Sequence, residues 1–132
     1  MVFMLHFLMR VFPIIIALIL LSSCSSQESK RLDASDLETL FDVEIEQRIA
    51  FSSFRFTGNV ILRPDRTAHL TIPALGEDQG MWWLAADTIC SKWNTALNSK
   101  PRCAHIFLQQ DGNYKAHDPQ TGDLLGTFEI LP

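Results

Sequence analysis

Apolar positions in this chain recur at every second residue over most of its length, and at helical spacing only once. Leu37, Leu40 and Phe41 stand at i, i+3 and i+4, which is one face of a helix. Ser35-Asp36-Leu37-Glu38 just before them reads as a capping box, so a short helix is expected to begin there and end by Asp42. Its apolar face suits the end of a sheet. From Val43 the period becomes two. Val43, Ile45 and Ile49 alternate with Glu44, Glu46 and Arg48, and Gln47 interrupts the apolar series. Phe54 and Phe56 alternate with Ser53, Arg55 and Thr57, and Gly58-Asn59 reads as a turn or bulge. Val60 and Leu62 lead into Arg63-Pro64-Asp65-Arg66, where Pro64 suits position i+1 of a type I turn. Ala68, Leu70 and Ile72 mark the returning strand, and Pro73 to Gln79 reads as loop.

Gly80 to Cys103 is the densest stretch. It holds Trp82, Trp83 and Trp93 together with Cys90 and Cys103. It reads as a hairpin opened at Gly80 and turned at Ala86-Asp87, followed by an exposed loop from Asn94 to Pro101 and a third strand. Ile106 and Leu108 alternate with His105 and Phe107. Asp111-Gly112 is the centre of another hairpin turn, Tyr114 starts the next strand, Asp118 to Gly122 turns again, and Leu124 to Ile130 closes the chain. About seven to nine short strands with no helical crossover predict a mainly β fold. The expected architecture is a small antiparallel meander, a curled sheet or a reduced calycin-like barrel, with one short N-terminal helix.

The first residues have a different logic. Between Met1 and Ser23 the only charged side chain is Arg10, and Val11 to Leu21 is an uncharged apolar run. That run is about half the roughly 20 residues that a spanning helix needs, and with the small residues after it it reads as a secretory signal. Leu21-Ser22-Ser23-Cys24 resembles the lipobox of bacterial lipoproteins. The resemblance implies acylation of Cys24, and Ser25 in place of an aspartate implies the outer membrane. Met1, Met4 and Met9 are all candidate starts, Met9-Arg10 giving the most compact signal. The expected organisation is a signal peptide over 1–23, a polar tether over 24–34 and a β-domain over 35–132.

Composition narrows the function. The formal charge is −4, and loss of the signal removes Arg10 and makes it one unit more negative. A mildly acidic surface excludes nucleic acid, which requires clustered cations. The expected partners are the membrane, through lipid on Cys24, and an envelope protein or a small apolar ligand. With Cys24 lipidated, Cys90 and Cys103 remain as a pair, and an exported chain would oxidise them to a disulfide worth about 3 kcal/mol. A two-cysteine metal site has neither a Cys-x-x-Cys unit nor a nearby His pair to support it, and no metal or cofactor is expected.

No catalytic pattern stands out. His69, His105 and His117 are scattered, and no serine lies in a Gly-x-Ser-x-Gly setting. Trp82, Trp83 and Trp93 read as core fillers, or alternatively as ligand contacts, with the Arg102 guanidinium placed to lie over one of the rings. Gly80, Trp82, Leu84, Asp87, Ile89, Cys90 and Trp93, then Arg102, Cys103, Asp111, Gly112 and Tyr114, resemble the pattern of a family of small exported Gram-negative proteins of unknown function. Ala86 departs from it, because glycine usually precedes the aspartate. The resemblance implies a fold and no activity. The sequence therefore reads as a non-enzymatic lipoprotein with an interaction or envelope-maintenance role. A binding module for an apolar or aromatic ligand is one alternative. An inhibitor of a periplasmic hydrolase, probing with Asn94 to Pro101, is the other.

Overall fold

A computed structural model describes residues 29–42 and 44–132. The expected signal peptide, Cys24 and Val43 lie outside the described residues.

Among the described residues nine strands and one α-helix follow in order: β1 (Lys30–Arg31), α1 (Ala34–Phe41), β2 (Gln47–Ser52), β3 (Thr57–Leu62), β4 (Thr67–Ile72), β5 (Gly76–Ala85), β6 (Thr88–Trp93), β7 (Arg102–Leu108), β8 (Tyr114–His117) and β9 (Leu124–Leu131). Each strand from β2 to β9 pairs antiparallel with the next, and β9 pairs back onto β2. The result is a closed up-and-down barrel of eight strands, with β1 outside it. The mainly β class expected from the sequence is the observed one, and of its forms the closed barrel is realised.

Eight strands leave an interior just wide enough for side chains to fill. Ile49, Leu62, Ala68, Leu70, Trp82, Trp93 and Ile106 fill it. Two glycines make room for the larger rings. Gly58 faces Phe51 and Gly80 faces Trp93 across their ladders. A Cβ on Gly80 would stand 2.3 Å from the Lys92 carbonyl oxygen and 2.8 Å from the Trp93 ring. Gly58-Asn59, read as a turn or bulge, is instead regular β3. Gly80 lies in mid-strand and does not open the hairpin.

α1 closes one end of the barrel. Leu37 and Phe41 are 0% and 1% exposed, and the Phe41 ring sits 6.4 Å from that of Phe128. The helix begins two residues earlier than the Ser35–Glu38 pattern predicts. Asp33 is the N-cap: its side chain accepts from the Asp36 N–H, and Asp36 reaches back to the Asp33 N–H. Both frames offer a capping box. Only the observed one also puts an apolar residue on each side of the cap, Leu32 before it and Leu37 four residues into the helix. Both are buried, as a hydrophobic staple requires.

The same register ends the tether early. Lys30 and Arg31 pair with Leu108 and Phe107 of β7, along the stretch that β6 does not cover, and the Leu32 N–H donates to the Ile106 carbonyl. Residues 30–34 thus belong to the folded domain rather than to a free tether.

Three further expectations change. β2 starts at Gln47, so Ile45 is exposed outside it. Gln47 points inward and its amide donates to the Leu40 carbonyl at 2.6 Å, tying β2 to α1. The chain reverses at Ser53–Phe56, held by the Ser53 hydroxyl, so Phe54 is fully exposed at a turn instead of half-buried in a strand. Pro73 to Gln79 is mostly strand, because β5 begins at Gly76.

The β5–β6 connection is the two-residue turn expected at Ala86-Asp87, and Ala86 adopts φ +52. That backbone suits glycine and strains alanine. Ala86→Gly is expected to raise stability by about 0.5–1 kcal/mol, read from the urea midpoint, and a lowered midpoint would contradict the turn geometry.

Candidate functional site

The cysteines expected to pair do so. Cys90 and Cys103 are direct cross-strand partners and form a disulfide, with Cα atoms 4.0 Å apart. The bond lies on the outer wall of the barrel beside Trp83, which pairs with Cys90 on its other side. The β6–β7 ladder spans only Ile89–Ser91 against Arg102–Ala104, and the disulfide clamps its middle pair.

The tryptophans separate. Trp82 is 2% exposed and its indole N–H donates to the Arg63 carbonyl at 3.0 Å. Trp93 is 7% exposed and lies over Gly80. These two are core. Trp83 alone is on the outer face, half-buried. The cation over a tryptophan is Arg66, 4.3 Å from the Trp82 ring, and not Arg102. Arg66 is oriented by Asp42 at 2.6 Å, which links the end of α1 to the β3–β4 turn. Arg102 is exposed at the opposite end, where the N–H groups of Thr121 and then Gln120 hold the Asp118 carboxyl below its usual range, partial desolvation opposes them and the Arg102 charge adds to them.

The histidines do not converge. His69 lies 3.5 Å from Glu77, and His117 bonds the Gly122 carbonyl. His105 sits between the Asp87 carbonyl and Arg31, which also pairs with the Asp87 carboxylate and so fastens β1 to the β5–β6 turn. Among the described residues, no group of three or more His, Cys, Asp or Glu side chains is placed to hold a metal ion.

Two features escape a reading of alternation alone. The first is the brace under the β6–β7 loop. Asp78 occupies an inward position of β5, and its carboxylate accepts from the N–H groups of Thr95 and Ala96 at 3.0 and 2.8 Å. The Asn94 N–H donates to the Gln79 carbonyl, and the Ser99 hydroxyl donates to the Asn94 carbonyl. Within this frame Leu97, Asn98 and Ser99 all adopt left-handed φ, at +56, +56 and +57. Each such residue costs roughly 1–2 kcal/mol, and the conformation persists only when the surroundings dictate it.

The Ala96 N–H is the largest cause holding the Asp78 carboxyl below the ordinary value of 3.8. Partial desolvation opposes it, and the Thr95 and Gln79 N–H groups add to it. A depressed folded-state value means the contact stabilises the fold above the unfolded value and fades as pH falls through the folded one. The Thr95 and Ala96 amide resonances are expected to titrate with a midpoint below 3.8, and to lose that transition in Asp78→Asn. A midpoint at or above the ordinary value would contradict the brace.

The second feature is the distribution of apolar tips. The β2–β3, β4–β5, β6–β7 and β8–β9 connections share one end of the barrel, because the topology is strictly up-and-down. Three of them expose Phe54 and Phe56, Leu75, and Leu97, and β9 exposes Leu124 and Leu125 where it leaves the fourth. Of the remaining exposed large apolar residues, Ile45 precedes β2 and Leu131 ends β9, both at the α1 end, and Met81 lies on the outer face of β5 beside Thr67.

Comparison with protein-family models, with curated proteins and with solved structures found no match to this chain.

Proposed function

We propose that this chain is an outer-membrane lipoprotein, anchored through Cys24, whose periplasmic barrel is non-catalytic and serves an interaction or envelope-maintenance role. The observation that carries the interaction half is the barrel interior: it is packed with the chain's own side chains and covered by α1, so the surfaces available for contact are the outer wall and the tips. The anchor rests on the apolar run to Leu21 followed by Leu21-Ser22-Ser23-Cys24. The Cys90–Cys103 bond suits an oxidising compartment. Fractionation of a Gram-negative host with labelled palmitate tests the reading. Wild type is expected in the outer-membrane fraction carrying label, and Cys24→Ser in the soluble periplasm without it. Equal distribution of the two would overturn the anchor.

One observation favours the hydrolase-inhibitor reading as the second. The loop from Asn94 to Pro101 is braced by Asp78 and Gln79 of β5 and holds Leu97 outward at its left-handed apex. On that reading Leu97 enters an apolar pocket of the enzyme. A hydrolase complex that survives gel filtration with wild type and dissociates with Leu97→Asp would establish it. The small-ligand reading retains only Trp83 as an accessible indole.

A further inference from the structure

The two ends of the barrel differ in kind. At the α1 end the turns are Arg63-Pro64-Asp65-Arg66, Ala86-Asp87 and Gln109-Gln110-Asp111-Gly112-Asn113, none of which carries a large apolar side chain. From Asp33 to Glu46 that end also gathers Asp33, Asp36, Glu38, Asp42, Glu44 and Glu46, with no lysine or arginine among them. At the other end three of the four connections carry an exposed leucine or phenylalanine and Leu124 and Leu125 open β9 directly after the fourth, whereas Ile45 and Leu131 are the exposed large apolar residues at the α1 end.

We propose that this apolar end seats on a phospholipid bilayer, with the tips of the four connections dipped into the boundary between headgroups and acyl chains. The proposal deepens the envelope-contact reading and rests on it for its setting, but it does not need the acyl group on Cys24.

Three observations select a lipid surface as the occupant. First, the apolar residues stand singly or in pairs on four separate tips and line no groove. A fluid phase accommodates separate projections, whereas a helix or strand ligand needs a continuous furrow or a free edge. Second, the cations at this end are interleaved with the apolar tips. Arg55 lies between Phe54 and Phe56, and Lys100 and Arg102 follow Leu97, so their heads can reach phosphate while their stems stay beside apolar surface. Two of the carboxylates there, Asp78 and Asp118, are turned onto backbone N–H groups and keep their charge, and with Glu77 and Asp123 they offset the three cations, so the apolar tips rather than net charge carry the attraction. Third, Lys30, Arg63 and Arg66 at the α1 end pair with Asp36, Glu46 and Asp42, and the negative charge left there on Asp33, Glu38 and Glu44 is repelled by anionic lipid and so orients the opposite end toward it.

Hydrogen exchange on the full chain carrying Cys24→Ser tests this, with and without vesicles of phosphatidylethanolamine and phosphatidylglycerol. Vesicles are expected to slow exchange in the four connections and the start of β9, at 53–56, 73–75, 94–101 and 118–125, and to leave 63–66 and 109–113 unchanged. Phe54→Ser with Leu97→Ser is expected to abolish that protection and to weaken vesicle binding at least about tenfold, with an unchanged urea midpoint. Protection confined to residues 1–28 would overturn the proposal. So would protection of the same connections without vesicles that grows with protein concentration, which would assign the tips to a second copy of the chain. Outer-membrane recovery of wild type through Cys24, with no protection of the tips, would overturn this inference and leave the anchor standing.

Discussion

Replacing Phe41 with alanine is expected to cost the domain about 3–5 kcal/mol, the range for emptying a fully enclosed phenylalanine site. The loss has two parts. Apolar surface returns to water, and a cavity opens where the ring meets Phe128 at the mouth of the barrel. A single domain of this size has only about 5–15 kcal/mol in total, so the variant stands near the threshold of folding. The neighbourhood cannot collapse easily to fill the gap. α1 is fixed at its start by the Asp33 cap and the Leu32–Leu37 staple, and at its end by Asp42 on Arg66 and by Gln47 on the Leu40 carbonyl. Urea unfolding checks the figure. Phe41→Leu, which keeps most of the volume, is expected to lose much less. A loss below about 1 kcal/mol for Phe41→Ala would mean that the helix does not close the barrel.

Removing the disulfide, as Cys90→Ser with Cys103→Ser, is expected to cost about 2–4 kcal/mol. Part of this is the entropy of an unclosed loop in the unfolded chain. The rest of the consequence is local and follows from the ladder. β6 and β7 share only the stretch Ile89–Ser91 with Arg102–Ala104, whereas β5 and β6 pair from Gly80 with Trp93 to Ala85 with Thr88. The seam that the bond clamps is therefore a weak place in the wall. Beside it runs a loop with three strained residues that only a rigid frame can hold. In the double variant, amide exchange is expected to rise first at Thr95 to Cys103, ahead of β2, β3 and β4. Uniform loosening of every strand together would contradict a local role for the bond.

The parts of this fold that follow simple periodicity could be read directly from the chain. Ala68, Leu70 and Ile72 alternate, and they line the inside of β4. Pro64 sits at the front of its turn, Asp111-Gly112 at another, and Cys90 and Cys103 face each other. What alternation could not show is where a polar residue takes an inward position. Pro73 to Gln79 reads as loop because it is rich in turn formers and acids, yet the Asp78 carboxylate is satisfied by the Thr95 and Ala96 N–H groups, and β5 runs through Gly76 to Gln79. The opposite error arises at Phe54 and Phe56. They alternate with Ser53, Arg55 and Thr57 as a strand would, but they fall out of step with Ile49 and Phe51, and the Ser53 hydroxyl turns the chain there. Hydrophobicity alone does not separate a core ring from one displayed on a turn. The helix start was undecided by capping chemistry, since two overlapping frames both offer a box, and the staple settled it. Trp82, Trp83 and Trp93 were legible as a group but not as individuals. Their separation depends on which strand face meets Gly80, and that is a matter of register.

Closure of the sheet is the claim on which the packed interior, the capped end and the apolar tips all depend. It rests on the pairing of β9 with β2, the first and last strands of the barrel. Cross-strand nuclear Overhauser contacts test it most directly. Closure predicts contacts between Ile49 and Ile130 and between Phe51 and Phe128, with slow amide exchange along both strands. Fast exchange in β2 and β9 and no contact between them would describe an open sheet and contradict it.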